Sequence, residues 1–245
     1  MDSAKPSDSR VNIRIGTTEY LVDVQKIPYF ASFTHFQALA GREAIHDEVP
    51  FFDTINYGVE NGYRHFFRRL PSELSDYHVL CETLEFLAVD VLGGRKLGEV
   101  YGDIRNGQYN WGYKERGEMG GPKTIARDSA FRLVYLFLMG EFESDVRESK
   151  TAFQATLFVI SHPSIFMCKT RKMVRKAFEN RFDVRAKQAK ELKNWPLCER
   201  QANFQEDDAT TEEEALDVDC CSDKSSATGH PDRDGFDALR ASGIY

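Results

Sequence analysis

Val11, Ile13 and Ile15 alternate with polar residues, and after a break at Gly16-Thr17-Thr18 the alternation resumes at Tyr20, Val22 and Val24. Successive side chains on a strand point to opposite faces, so this period of two predicts a half-buried β-hairpin. From Gln25 the rhythm changes. Ile27, Phe30, Phe33/Thr34 and Gln37/Ala38 recur at helical spacing as far as Ala40-Gly41 and predict a helix. A short strand is expected over 44–49. After Pro50 the pattern predicts a helix bearing Phe51, Phe52 and Ile55, then a short helix over 62–70 that Pro71 stops.

The strongest helical signal begins at Ser75, a capping residue type, with Asp76 behind it at the positive end of the macrodipole. Tyr77, Leu80, Cys81, Leu84, Leu87, Ala88 and Val91 fall three and four apart, which predicts one apolar face running to a stop at Gly93-Gly94. Residues 95–124 hold seven glycines and no clear period, and read as a connection with short elements, including a strand or turn around Tyr109 to Tyr113. Two helices over roughly 125–140 and 150–161 are apolar on more than one face, as buried helices are. A last, strongly basic helix is expected from about Thr170 to Asn194, closed by Trp195-Pro196, with Val174, Ala177, Phe178, Phe182 and Ala189 as its apolar side. The fold class is therefore α+β. A small sheet with a helical cluster over 11–94 is followed by an all-helical extension over 95–200, and residues 1–10 and an acidic tail over 201–245 read as disordered.

Composition bounds this picture. A chain of 245 residues makes one large domain or two small ones, and 41% hydrophobic residues with 18 Phe, 10 Tyr and 2 Trp exclude wholesale disorder. The net charge of -7 argues against a generic nucleic-acid coat protein, but its distribution changes that inference. Residues 206–234 carry eleven acids against Lys224 and Arg233, a net of -9, whereas 169–200 carry eleven bases against four acids, a net of +7. The acidity belongs to the tail. Lys169, Arg171, Lys172, Arg175 and Lys176 form the candidate face for a polyanion or an acidic partner, because neutralising phosphate or carboxylate charge gives salt-sensitive affinity. The acidic segment tethered behind that helix is itself such a partner, at high effective concentration, and is expected to compete for the face.

The apolar stretches over 130–139 and 152–160 fall short of the roughly 18–20 residues that cross a bilayer. The polar stretch 1–10 has no apolar region behind it of the kind a secretory signal carries. Five cysteines, odd in number and including the adjacent Cys220-Cys221, do not suit a disulfide framework. The expectation is an intracellular protein of the cytoplasm or nucleus, without a membrane span.

Three residue patterns bear on chemistry. Gly117-Glu118-Met119-Gly120-Gly121-Pro122-Lys123-Thr124 matches the phosphate-binding pattern G-x-x-x-x-G-K-[ST] except that Pro122 replaces its second fixed glycine. Proline lacks the N–H that such a loop aims at phosphate, so the segment reads as a turn that starts a helix. His78 and Cys81 stand at i and i+3, but no second His/Cys pair at ligand spacing completes a metal set, and His35, His46, His65, His162 and His230 are scattered. No nucleophile-elbow pattern occurs. No cofactor, metal or catalytic residue is expected.

The hairpin over 11–24, the helix Lys26 to Phe36, the segment Gly62-Tyr63-Arg64-His65-Phe66-Phe67-Arg68-Arg69-Leu70-Pro71 and the helix Asp76 to Leu92 resemble a BTB/POZ domain, of the fungal BTB-like kind. Tyr20 and Ile27 match the apolar anchors of that family's strand-to-helix segment, while Asp23 stands where many members have His, and Ala31-Ser32-Phe33-Thr34 replaces the usual Ser-x-Tyr-Phe step. The segments Ala126-Arg127-Asp128-Ser129-Ala130-Phe131-Arg132-Leu133 and Phe158-Val159-Ile160-Ser161-His162-Pro163, with the basic helix, are similar to the region that follows the BTB-like part in uncharacterised fungal relatives. The resemblance implies a hairpin opening a small sheet beside a helical cluster, and noncatalytic protein–protein association: a homo-oligomer or scaffold. Its runners-up are a substrate adaptor for a cullin-type ubiquitin ligase and, from the basic helix, a nucleic-acid-associated regulator. No cullin-contact motif maps onto these residues, and no kelch, zinc-finger or ankyrin repeat follows.

Overall fold

The hairpin comprises β1 (Arg10–Ile15) and β2 (Thr18–Asp23), antiparallel across the Gly16-Thr17 turn with Ile13 opposite Tyr20 and Val11 opposite Val22. In the computed structural model, which describes residues 9–109, 121–142, 146–195 and 197, this register turns Ile13, Ile15 and Val22 into the core. Helix α1 (Tyr29–Leu39) then returns the chain to the other edge of β1, where the two-residue strand β3 (Ile45–His46) pairs in parallel. The sheet order is β2-β1-β3.

Helix α2 (Phe52–Asn61) buries Phe52, Ile55 and Gly58, and a 3₁₀ turn (Tyr63–His65) runs into the single-turn helix α3 (Phe66–Arg69). Gly62 takes φ +113°, and a Cβ there would stand 2.9 Å from Asp128 Oδ1, so glycine is required at this junction. Helix α4 (Leu74–Phe86) starts one residue before the expected cap. Glu73 takes the extended cap position, Leu74 packs against the core, and Ser75 lies inside the helix.

The expected helix to Gly93 ends early, at Phe86. Leu87, Val89 and Val91 are all buried but lie beyond the helix, on a turn at 87–88 and the loop that follows it, so irregular backbone places every second residue in the core there. Ala88 stops the helix in the left-handed conformation at φ +55°. Val89 N–H donates to Leu84 O at 3.0 Å and Ala88 N–H to Glu85 O at 2.9 Å, the paired closure usually made around a glycine.

Residues 95–109, expected as part of a connection with short elements, contain a ten-residue helix, α5 (Leu97–Asn106), which buries Leu97, Val100 and Ile104 at helical spacing. Its glycines look like breaks in the sequence, but Gly107 stands where a Cβ would collide with Ala126, and its bareness lets the end of α5 reach the next helix. The strand or turn expected over 109–113 lies outside the described residues beyond Tyr109, as do Gly117 to Gly120. Pro122 opens α6 (Pro122–Met139) in its first turn, where a missing N–H costs nothing.

Helix α6 is the axis of the molecule. Its side chains Phe131, Val134 and Phe137 are buried, and it packs on α4 and α5 on one side and on α8 on another. Phe131 meets Phe66 at 4.5 Å and Phe67 at 6.0 Å in edge-to-face geometry, contacts worth about 0.5–1.5 kcal/mol each beyond burial. Helix α7 (Val146–Ser161) and helix α8 (Cys168–Arg181) complete the core.

The basic helix expected over 170–194 is two helices. α8 ends where Phe182 turns extended to join Phe137, Phe142 and Phe178 at ring distances of 5.1–5.7 Å, and α9 (Ala186–Lys193) begins after it, anchored by buried Leu192. Described residues thus form a mixed α/β fold of nine α-helices and one three-stranded sheet, with a single continuous core from Ile13 to Leu192. The described residues beyond 94 carry helices and no strand, and the acidic tail lies outside them.

Candidate functional site

The helical period sorts the cations of α8. Thr170, Arg171, Met173, Val174, Ala177 and Phe178 face inward, and Lys172, Arg175, Lys176 and Glu179 lie on the other side. The five candidate residues are therefore not one face.

Arg171 is 3% exposed and directs Nη1 toward the Ile160 carbonyl at 3.5 Å, at the C-terminal turn of α7. A cation there complements the negative end of that helix and its unpaired carbonyls. Lys169 Nζ donates to Leu70 O at the end of α3, and burial pulls its pKa below the usual lysine value. Leu70 precedes Pro71, and the lysine satisfies the carbonyl there. Both groups hold the fold together.

Lys172, Arg175 and Lys176 converge with Ser72, Glu73, Glu179 and Leu197 on a cleft of about 810 Å³ between α8 and the α3–α4 turn. Lys176 Nζ donates to Ser72 O at 2.8 Å, with Glu73 at 3.9 Å, and Arg175 Nε donates to Glu179 Oε1 at 2.8 Å. Lys172 has no carboxylate partner among the described residues. The cleft can thus accept carboxylate or phosphate oxygens through Lys172 and the remaining Arg175 donors.

A second feature escaped the sequence pattern. Of the eleven residues of α1 only Phe30 is buried, while Phe36 is 68% and Leu39 72% exposed, beside small Ser32 and Ala38. Phe86, 54% exposed at the end of α4, extends this surface: its ring lies 4.7 Å from Tyr29, which stacks on Phe33. Behind it the Tyr29 hydroxyl and His46 Nε2 are 2.8 Å apart.

No family model, curated protein or solved structure matches this chain. Its function must be read from the two surfaces. The signal that marks α1 was present in the sequence: Tyr29–Leu39 contains no Asp, Glu, Lys or Arg in a chain that is 29% charged.

The remaining candidates do not assemble. Cys81 is buried and its thiol pKa is pushed up by that burial, while His78 is exposed beside Glu82 at 3.2 Å, so the i, i+3 pair does not converge. His162 stacks on Phe158 at 3.8 Å and His65 sits edge-on to Tyr57 at 5.1 Å. Among the described residues no three His, Cys, Asp or Glu side chains are placed to hold a metal. None of the described helices is long and apolar enough to cross a membrane.

Proposed function

We propose that this protein is a noncatalytic assembly protein of BTB/POZ type, and that a second copy of the chain covers the exposed face of α1. The observation that carries this reading is the exposure of Phe36 and Leu39 on α1, a helix with one buried side chain and no Asp, Glu, Lys or Arg, with Phe86 at the end of α4 against its first turn. In a two-fold interface the residues near the axis meet their own symmetry mates, and a charge there faces its like. Helix α1 has none to repel, and Ala31, Ser32 and Ala38 on its exposed side allow two helices to approach closely. Large exposed apolar side chains clustered in this way mark an interaction surface. The hairpin, small sheet and helical cluster over 10–94 also support the reading, since they are the parts that the BTB/POZ resemblance implies.

Absolute mass by light scattering during size exclusion tests it. The full chain is expected to run as a dimer or higher oligomer. The double variant F36D/L39D, altered only at exposed positions, is expected to run as a monomer with unchanged circular dichroism. A strict monomer of the unaltered chain at high concentration would overturn the proposal.

A further inference from the structure

Leu197 lines the cleft of Lys172, Arg175 and Lys176, so the chain leaves the described fold at the lip of its own cationic site. Nine residues later comes Glu206-Asp207-Asp208, followed by Glu212-Glu213-Glu214. Nine residues span at most about 30 Å when fully extended, enough to cross the mouth of the cleft and return into it.

We propose that the acidic segment 206–214 docks in this cleft in cis, as a built-in competitor for any other acidic ligand. Three features of the side chains suit carboxylates. Lys172 has no carboxylate partner among the described residues. Arg175 uses Nε on Glu179, and the outer edge of a guanidinium matches a carboxylate with two parallel donors. Lys176 gives Ser72 one hydrogen bond and has three hydrogens to give. The alkyl stems of the lysines and Leu197 supply an apolar floor for the Ala-Thr-Thr link between the two acidic triplets.

Glu73 and Glu179 also line the cleft, so three cations face two anions and the site is only weakly positive. A free acidic peptide would bind such a site poorly. The tether changes the balance, because a short linker holds the segment at an effective concentration on the order of millimolar. Weak contacts made strong by tethering exchange readily, and a more highly charged external ligand would displace the segment. This contact lies on α8, away from α1, and does not depend on whether the chain self-associates.

Zero-length carbodiimide coupling of the unaltered full chain, read by peptide mass spectrometry, tests the proposal. The reagent joins amines and carboxylates that already touch. Links from the acids of 206–214 to Lys172 and Lys176 are expected to exceed those to Lys187, Lys190 and Lys193 by about tenfold, although the α9 lysines are nearer in sequence. The links should be lost at about 0.5 M salt, where the screening length falls to about 4 Å. In a mixture of isotopically light and heavy chains they should remain within one chain. Links concentrated on α9, links only between chains, or no links at Lys172 and Lys176 would each overturn the proposal.

Discussion

Asp128 accepts the backbone N–H of Arg64 at 2.8 Å and faces the Arg64 guanidinium with both carboxylate oxygens at 3.3 Å. The pair lies 64 positions apart and joins the 3₁₀ turn after α2 to the middle of α6, beside Arg132, which stacks over Tyr63 and donates to Val91 O at 3.0 Å. Polar contacts thus bind the hairpin-bearing part of the chain to the helices beyond it, across the same boundary that the aromatic core spans.

Asp128→Ala is expected to destabilise the fold by about 2 kcal/mol, since it leaves a half-buried N–H and a guanidinium without their acceptor. Asp128→Asn keeps a neutral acceptor and is expected to cost about half as much. Urea unfolding of the three proteins measures the difference. Equal stability of wild type and the alanine variant would show that water replaces the contact without loss.

Ala88→Gly should stabilise the protein. A left-handed alanine costs about 1 kcal/mol or more, which glycine avoids, and glycine's larger unfolded-state entropy returns part of the gain. For a fold of this size the expected rise in melting temperature is about 1–3 °C. Scanning calorimetry reads it, and a decrease would mean that the alanine methyl contributes packing that its exposed position does not suggest.

Burial, then the nearby Arg64 and Arg68, lower the pKa of His65 below the ordinary histidine value and outweigh the opposing pull of Asp128. Between that folded-state pKa and about 6.5 the unfolded chain binds more protons than the folded one. Stability therefore falls as pH drops through this window and is fully present above it. His65→Gln should flatten the slope of unfolding free energy against pH between 5 and 7, as measured by urea midpoints. An unchanged slope would place the titration elsewhere.

Much of the fold was legible because burial imposes a period. The alternation at Val11, Ile13 and Ile15 and the three-four spacing at Tyr77, Leu80 and Leu84 each admit one reading. Leu84, Leu87 and Val91 also fit a helix, yet the left-handed turn at Ala88 ends it and the loop beyond buries Val89 and Val91, which helical spacing from Leu84 does not distinguish. α5 was hidden by Gly98 and Gly102, whose low helix propensity outweighs Leu97, Val100 and Ile104 in a local reading but not in contact with α6 and α7.

The candidate site divides in the same way. That residues 169–200 are basic and 206–234 acidic follows from composition, as does the absence of charge on Tyr29–Leu39, because each is a property of a segment. Which cations face solvent is a property of packing. The rotation of α8 against α6 and α7 directs Arg171 inward, the carbonyl of Leu70 takes Lys169, and Lys172 is left at a cleft that a turn 100 residues earlier helps to build. Local sequence carries periodicity and charge density. The partners of Lys169, Arg171 and Lys176 were decided by tertiary contact, since burying an ionised group without an acceptor costs several kcal/mol and the fold settles only where acceptors from other segments meet it.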